Sequence, residues 1–127
     1  MLKILIIDDD EITNFITTTN LTKMGYTNNL VVTNGQEGID YLLANQCPEL
    51  ILLDLNMPVM DGWEFLEVKE RLKICPDTPI IVTTSSGRPE DMEKTDSFNN
   101  ILKYMVKPID FEKVSTLLLE LHKNKIC

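Results

Sequence analysis

Asp54 ends the apolar run Leu50-Ile51-Leu52-Leu53, and the acidic cluster Asp8-Asp9-Asp10 ends the run Ile4-Leu5-Ile6-Ile7. A carboxylate that closes an apolar strand is delivered to the mouth of a sheet, where it can meet a metal, a phosphate or another carboxylate. Two further apolar runs end in Thr84 and in Lys107-Pro108. Brought together, Asp8, Asp9 and Asp54 repel one another, which raises carboxyl pKa values unless a cation neutralises them. Hard oxygen ligands of this kind favour Mg²⁺, which keeps several waters and shares phosphate oxygens. Lys107 adds a mobile positive charge suited to a phosphoryl oxygen, and Thr84 adds a hydroxyl donor. A nucleophilic carboxylate, a divalent metal, a cation and a hydroxyl together describe phosphoryl transfer to an aspartate, where positioning and charge neutralisation dominate.

The elements that must position these groups alternate along the chain. Strands are expected at Lys3 to Ile7, Leu30 to Val32, Leu50 to Leu53, Ile80 to Thr83 and Leu102 to Val106. Between them lie helical patterns. Ile12, Phe15, Ile16, Thr19 and Met24 form a stripe ending at Gly25, a good residue to follow a helix. Ile39, Leu42 and Leu43 mark the inner face of a second helix, from about Gln36 to Ala44. Phe65, Leu66 and Leu72 mark a third, from near Trp63 to Ile74. Pro89 with Glu90 and Asp91 suits the first turn of a fourth helix. Val114, Leu117, Leu118 and Leu121 mark a fifth, with Asp110 as its N-cap.

Five strands alternating with five helices imply an α/β fold: a doubly wound parallel sheet with helices on both faces. Right-handed crossovers leave few topologies, and the strand order 2-1-3-4-5 is a common one. Ligands then bind beyond the carboxyl ends of the strands, where the order reverses. That point lies between the first and third strands, which end in Asp8-Asp9 and Asp54.

Bulk properties narrow the function classes. The 127 residues make one domain, read as a single unit over 1–127 with no output domain. A net charge of -8 argues against the basic face that nucleic acid requires. No apolar run approaches the roughly 20 residues that span a bilayer, and no secretory signal is visible, so the chain is expected to be cytoplasmic. Cys47, Cys75 and Cys127 are odd in number and lack C-x-x-C spacing. They read as reduced cysteines, with Cys127 on a frayed tail.

With the residues in this order the chain resembles the receiver domain of two-component response regulators, like the chemotaxis response regulator. The resemblance rests on Ile6-Ile7-Asp8-Asp9, Leu53-Asp54-Leu55-Asn56-Met57-Pro58 with Asp61-Gly62, Val82-Thr83-Thr84-Ser85, and Lys107-Pro108. It covers essentially the whole chain and implies a flavodoxin-like fold with Asp54 as phosphoacceptor. It further implies Mg²⁺ held by Asp9, Asp54 and the backbone carbonyl of Asn56, with Asp8 completing the acidic pair. Thr84 and Lys107 would contact the phosphoryl group. Thr84 and Tyr104 would act as the switch, Tyr104 occupying a place where the family often has an aromatic that moves inward. Implied partners are a sensor histidine kinase or histidine phosphotransfer protein upstream, and a downstream protein on the face formed by the fourth helix, fifth strand and fifth helix. Neither nucleic acid nor membrane is expected.

Plainer readings stand beside these. Asp10 reads as a helix cap, Met57, Val59 and Met60 as packing residues, and Gly62 as relief of backbone crowding where the third helix starts. His122 suits the negative end of the last helix dipole. A small Mg²⁺-dependent phosphatase or hydrolase would use the same acids, but no loop is long enough to build a substrate pocket. A dinucleotide enzyme would need a G-x-G-x-x-G after the first strand, and none follows it.

Overall fold

In the computed structural model, which describes residues 2–126, the chain alternates strand and helix from end to end. The elements are β1 (Ile4–Ile7), α1 (Glu11–Lys23), β2 (Asn29–Val32), α2 (Gly35–Ala44), β3 (Leu50–Leu53), α3 (Gly62–Arg71), β4 (Ile80–Thr84), α4 (Pro89–Asp96), β5 (Ile101–Val106) and α5 (Phe111–Ile126). All strands pair in parallel, in the order β2-β1-β3-β4-β5. This is the doubly wound sheet that the alternating pattern implies.

β1 and β3 are unbroken apolar runs, and β4 is apolar up to Thr83, because both of their faces are covered. Leu5, Ile7, Ile51, Leu53, Ile80 and Val82 point to one side, against Ile39 and Leu42 of α2 and Phe65 and Leu66 of α3. Ile4, Ile6, Leu50, Leu52 and Ile81 point to the other, against Leu21 of α1 and Val114 and Leu118 of α5. Helix starts are fixed locally. Asp10 accepts from the Ile12 N–H, Asn34 from Glu37, Asp61 from Glu64, and Asp110 from Glu112 and Lys113. α1 is capped at Met24 and followed by Gly25, whose φ of +95° only glycine adopts freely.

The helical stripe expected on α1 faces the wrong way. Ile12 and Phe15 are 72% and 71% exposed and Ile16 is also exposed, while Asn14, Thr17 and Leu21 form the buried face. The helix starts immediately beside the acidic strand ends, so its inner face must carry small polar side chains there and turns apolar only at Leu21. Leu43 and Leu72, expected on the inner faces of α2 and α3, are likewise exposed. The sequence pattern assigned too many apolar residues to the core because each apolar stripe was wider than the surface available to cover it.

Cys47 and Cys75 are not reduced: they form a disulfide across a sequence separation of 28 residues, with Cα atoms 5.7 Å apart. The loops that carry them precede β3 and β4, which are neighbours in the sheet, so residues distant in sequence arrive side by side. Sequence spacing holds no signal for such a pair. Cys127 lies outside the described residues.

The two aromatic positions give a direct test of the corrected core. Phe65→Ala should cost about 3–5 kcal/mol in urea unfolding, because Phe65 is fully buried between α3 and the sheet. Phe15→Ala should stay within about 0.5 kcal/mol of wild type. A large loss for Phe15→Ala would restore the face expected from the stripe.

Candidate functional site

Sheet register assembles the site. Ile7 is paired with Leu53, so Asp8 and Asp54 are the first residues beyond two adjacent strand ends. The Asp8 N–H donates to Val32 O at 3.1 Å and the Asp54 N–H to Ile7 O at 2.9 Å, which carries the ladder one step past the strands. On the other side Thr84 pairs with Val106, and the Lys107 N–H donates to Thr84 O at 2.7 Å. Lys107 thereby enters from β5 toward the acids.

Carboxylate oxygens of Asp8, Asp9 and Asp54 all lie within 4.8 Å of one another. Lys107 Nζ stands 2.8 Å from Asp8 Oδ2 and 3.7 Å from Asp54 Oδ2. Asp8 and Asp54 are buried and Asp9 is exposed, so the cluster has a dry floor and a wet rim. Asp8 Oδ1 also accepts from the Asp10 N–H, and Asn14 Nδ2 donates to Asp8 O at 2.8 Å. Asn14 is a supporting residue that the sequence reading missed. No hydrophobic signal marks it, since Asn14 and Thr17 are polar residues on the buried face that ends in Leu21.

Burial pushes the Asp54 carboxyl up from 3.8 to about 6, and the neighbouring Asp8 charge adds to the rise. Lys107 and the backbone N–H groups of Asn56 and Leu55 offset this only in part. Near neutral pH Asp54 is therefore mostly ionised yet poorly neutralised, which suits a group awaiting a cation or an electrophile. The donor set fits a hard divalent ion: three carboxylates converge, and the single lysine beside them does not balance their charge.

Behind Asp54 the chain is held without slack. The Gly62 N–H donates to Leu55 O at 2.9 Å, and a Cβ at Gly62 would lie 2.5 Å from Asp54 O. The Gly35 N–H donates to Met60 O at 2.8 Å, and a Cβ there would lie 2.7 Å from the same oxygen. Both helix starts press against this loop so closely that only glycine fits. The crowding expected at Gly62 is present, and Gly35 adds a second instance.

Thr84 is fully buried, and its hydroxyl accepts from the Ser86 N–H at 3.2 Å without bonding to Asp54. Ser86 O in turn accepts from the Tyr104 hydroxyl at 2.7 Å, and Ser86 Oγ donates to Asp91 Oδ2 at 2.6 Å. A continuous path therefore runs from Thr84 through Ser86 to Tyr104 on β5 and Asp91 on α4. Tyr104, expected to swing in from solvent, is already half-buried and turned toward Ser86. Asn56 is exposed two residues beyond Asp54, and His122 is exposed near the far end of α5.

Fold and site together define a response regulator receiver. Residues 4–119 match the family model described as Response regulator receiver domain, and the chain belongs to that family. It is 33% identical over 108 residues to a chemotaxis protein CheY homolog of Campylobacter jejuni, covering 84% of this chain and 82% of that protein. It is 30% identical over 125 residues to the hybrid signal transduction histidine kinase H of Dictyostelium discoideum, covering 96% of this chain and 9% of that protein. Among solved structures, the chemotaxis protein CheY4 of Vibrio cholerae superposes with a TM-score of 0.81 at 26% identity, covering 95% of this chain and 98% of that one. The chain is thus a receiver domain of two-component signalling with a CheY-like fold. Among the described residues no helix is long and apolar enough to cross a membrane.

The raised Asp54 pKa has a consequence for stability. The folded protein binds a proton at Asp54 more tightly than the unfolded chain, so stability falls as pH rises from about 3.8 through about 6. Above that window, without divalent metal, the ionised and buried acid costs roughly 3 kcal/mol. Asp54→Asn should therefore be more stable than wild type by about 2–3 kcal/mol at pH 8 in EDTA, and equal to it near pH 3.5. Urea melts at the two pH values measure this. An Asp54→Asn protein no more stable than wild type at pH 8 would contradict the account of the acid pocket.

Proposed function

We propose that Asp54 is the phosphoacceptor of a Mg²⁺-dependent signalling switch that takes its phosphoryl group from a histidine kinase or a histidine phosphotransfer protein. The observation that carries this reading is the convergence of Asp54 with Asp8, Asp9 and Lys107 at one sheet mouth. A carboxylate oxygen of Asp54 attacks the phosphorus of a phosphohistidine. The P–N bond breaks, the imidazole nitrogen leaves with the electron pair and takes a proton, and an acyl phosphate remains. Asp8, Asp9, Asp54 and the backbone carbonyl of Asn56 hold the metal in this reading. When bound, Mg²⁺ supplies the charge neutralisation that lets clustered acids coexist with a phosphoryl dianion.

Lys107 and Thr84 contact the new phosphoryl oxygens, Lys107 by exchanging its contact with Asp8 and Thr84 by donating its hydroxyl. Thr84 Oγ1 is at present the acceptor for the Ser86 N–H, so its reorientation displaces Ser86 and the Tyr104 hydroxyl bound to it. The signal then emerges on α4, β5 and α5, a face that includes Lys103 and Tyr104, where a downstream protein binds. The protein acts by contact or onward transfer rather than as an enzyme on outside substrates. Its place of action is the cytoplasm, where histidine kinases present their phosphoryl groups.

Acetyl phosphate with Mg²⁺ should add one phosphoryl mass to the intact protein. Labelling should stop in EDTA and in Asp54→Ala, and unchanged labelling of Asp54→Ala would overturn the assignment.

Coupling of the phosphoryl group to the partner face is typically about 1–3 kcal/mol, so partner affinity should change roughly 5- to 150-fold. Thr84→Ala should keep the label but lose most of the amide shifts around Tyr104 that beryllofluoride, a phosphoryl mimic, induces in wild type. Equal shifts in both proteins would remove Thr84 from the switch.

A further inference from the structure

The Cys47–Cys75 bond joins the two loops that enter β3 and β4, at the opposite end of the strands from the acids. It takes no part in the phosphoryl chemistry. Its two halves sit in unlike surroundings: Cys47 is exposed, while Cys75 is only 7% exposed. Both line a cavity of about 310 Å³, with Pro48, Pro79 and Leu121 forming its apolar walls. Disulfides exchange by attack of a thiolate on one sulfur with departure of the other, so access decides which sulfur is attacked. The cavity touches both residues, and the greater exposure of Cys47 favours attack on its sulfur.

The departing side is also prepared. Lys69 is 4% exposed, and its ammonium donates to Cys75 O at 2.9 Å, which holds a buried cation against the residue that must accept negative charge. Burial pushes the Lys69 ammonium pKa down despite the charges of Glu70 and Asp77, so a thiolate on Cys75 would add a further counter-charge beside it. The segment between α3 and β4 is strained as well. Lys73 and Cys75 hold φ values of 55° and 44°, a left-handed conformation uncommon in residues with side chains. Opening the ring frees this segment to relax. Finally, disulfides in the cytoplasm are mostly transient or redox-sensing, and this one argument rests on the location proposed above.

We propose that Cys47–Cys75 is a thiol–disulfide exchange site at which an external dithiol attacks the sulfur of Cys47. The Cys47–Cys75 bond breaks, a mixed disulfide forms on Cys47, and the electron pair leaves on the Cys75 sulfur, which takes a proton. The second thiol of the dithiol then attacks its own partner sulfur and releases Cys47 as a thiol. Two electrons and two protons pass from the dithiol to the protein, and the dithiol becomes a disulfide. Reduction unlinks the α2–β3 loop from the α3–β4 loop and returns a closure across 28 residues to the unfolded chain.

The test uses the full chain with Cys127→Ser, so that only this pair exchanges. Native protein is treated with 2-mercaptoethanol, quenched in acid and mapped by peptide mass. The mixed disulfide should fall on Cys47 in at least about tenfold excess over Cys75. It should also form faster than the protein unfolds globally, as timed by amide exchange in the same buffer. The fully reduced protein should melt lower by on the order of 10 °C. An adduct mainly on Cys75, or exchange no faster than global unfolding, would make the bond a structural cross-link and overturn the proposal.

Parallel reductions with dithiothreitol and with an equimolar C-x-x-C dithiol protein separate the sources. Faster reduction by the protein points to a protein donor, and equal or slower reduction points to a small dithiol. Acetyl phosphate labelling of the same samples keeps the two readings apart. Normal labelling with failed exchange overturns the redox site alone, and normal exchange without labelling overturns the phosphoacceptor alone.

Discussion

Two buried carboxylates, Asp8 and Asp54, stand at adjacent strand ends with one lysine between them, and the rest of the molecule is arranged around that unfavourable proximity. Left to relax, the acids would separate or become protonated. They cannot separate, because the ladder hydrogen bonds from Asp8 to Val32 and from Asp54 to Ile7 fix them to the sheet. Apolar residues on both faces of β1 and β3 hold that ladder in turn. The hydrophobic core thus stabilises a polar site that costs stability, an exchange that active regions commonly show.

Hydrogen bonds lead outward from the strand end beside the acids. Thr84 ends the neighbouring strand, and its hydroxyl is occupied by Ser86 rather than by the acids. Ser86 holds Tyr104 through its carbonyl and Asp91 through its hydroxyl. A short chain of hydrogen bonds therefore leads from the charged mouth to the outer face of β5 and the start of α4.

Much of this was legible in the sequence. The strand ends at Asp8, Asp54, Thr84 and Lys107 were readable because a buried parallel strand is a continuous apolar run, and whatever follows it must lie at the sheet mouth. Caps at Asp10 and Asp110 were readable from residue type. The inward face of α1 was not, since Asn14 and Thr17 are buried by their position against the acids and not by hydrophobicity. The disulfide was equally hidden. It depends on β3 and β4 being neighbours, and periodicity does not report the distance between loops. Lys69 shows the same limit: its burial against Cys75 O follows from a loop path that no local pattern encodes.

The glycines behind Asp54 give the site a sense of direction. With Gly62 seated on Leu55 and Gly35 on Met60, the wall formed by the β3–α3 loop is braced from two helices and has no room to yield. The backbone there is held close against both helix starts. The exposed rim of the acid cluster is at Asp9. The fixed wall of the site is therefore a property of the backbone, set by two positions too narrow for even a methyl group.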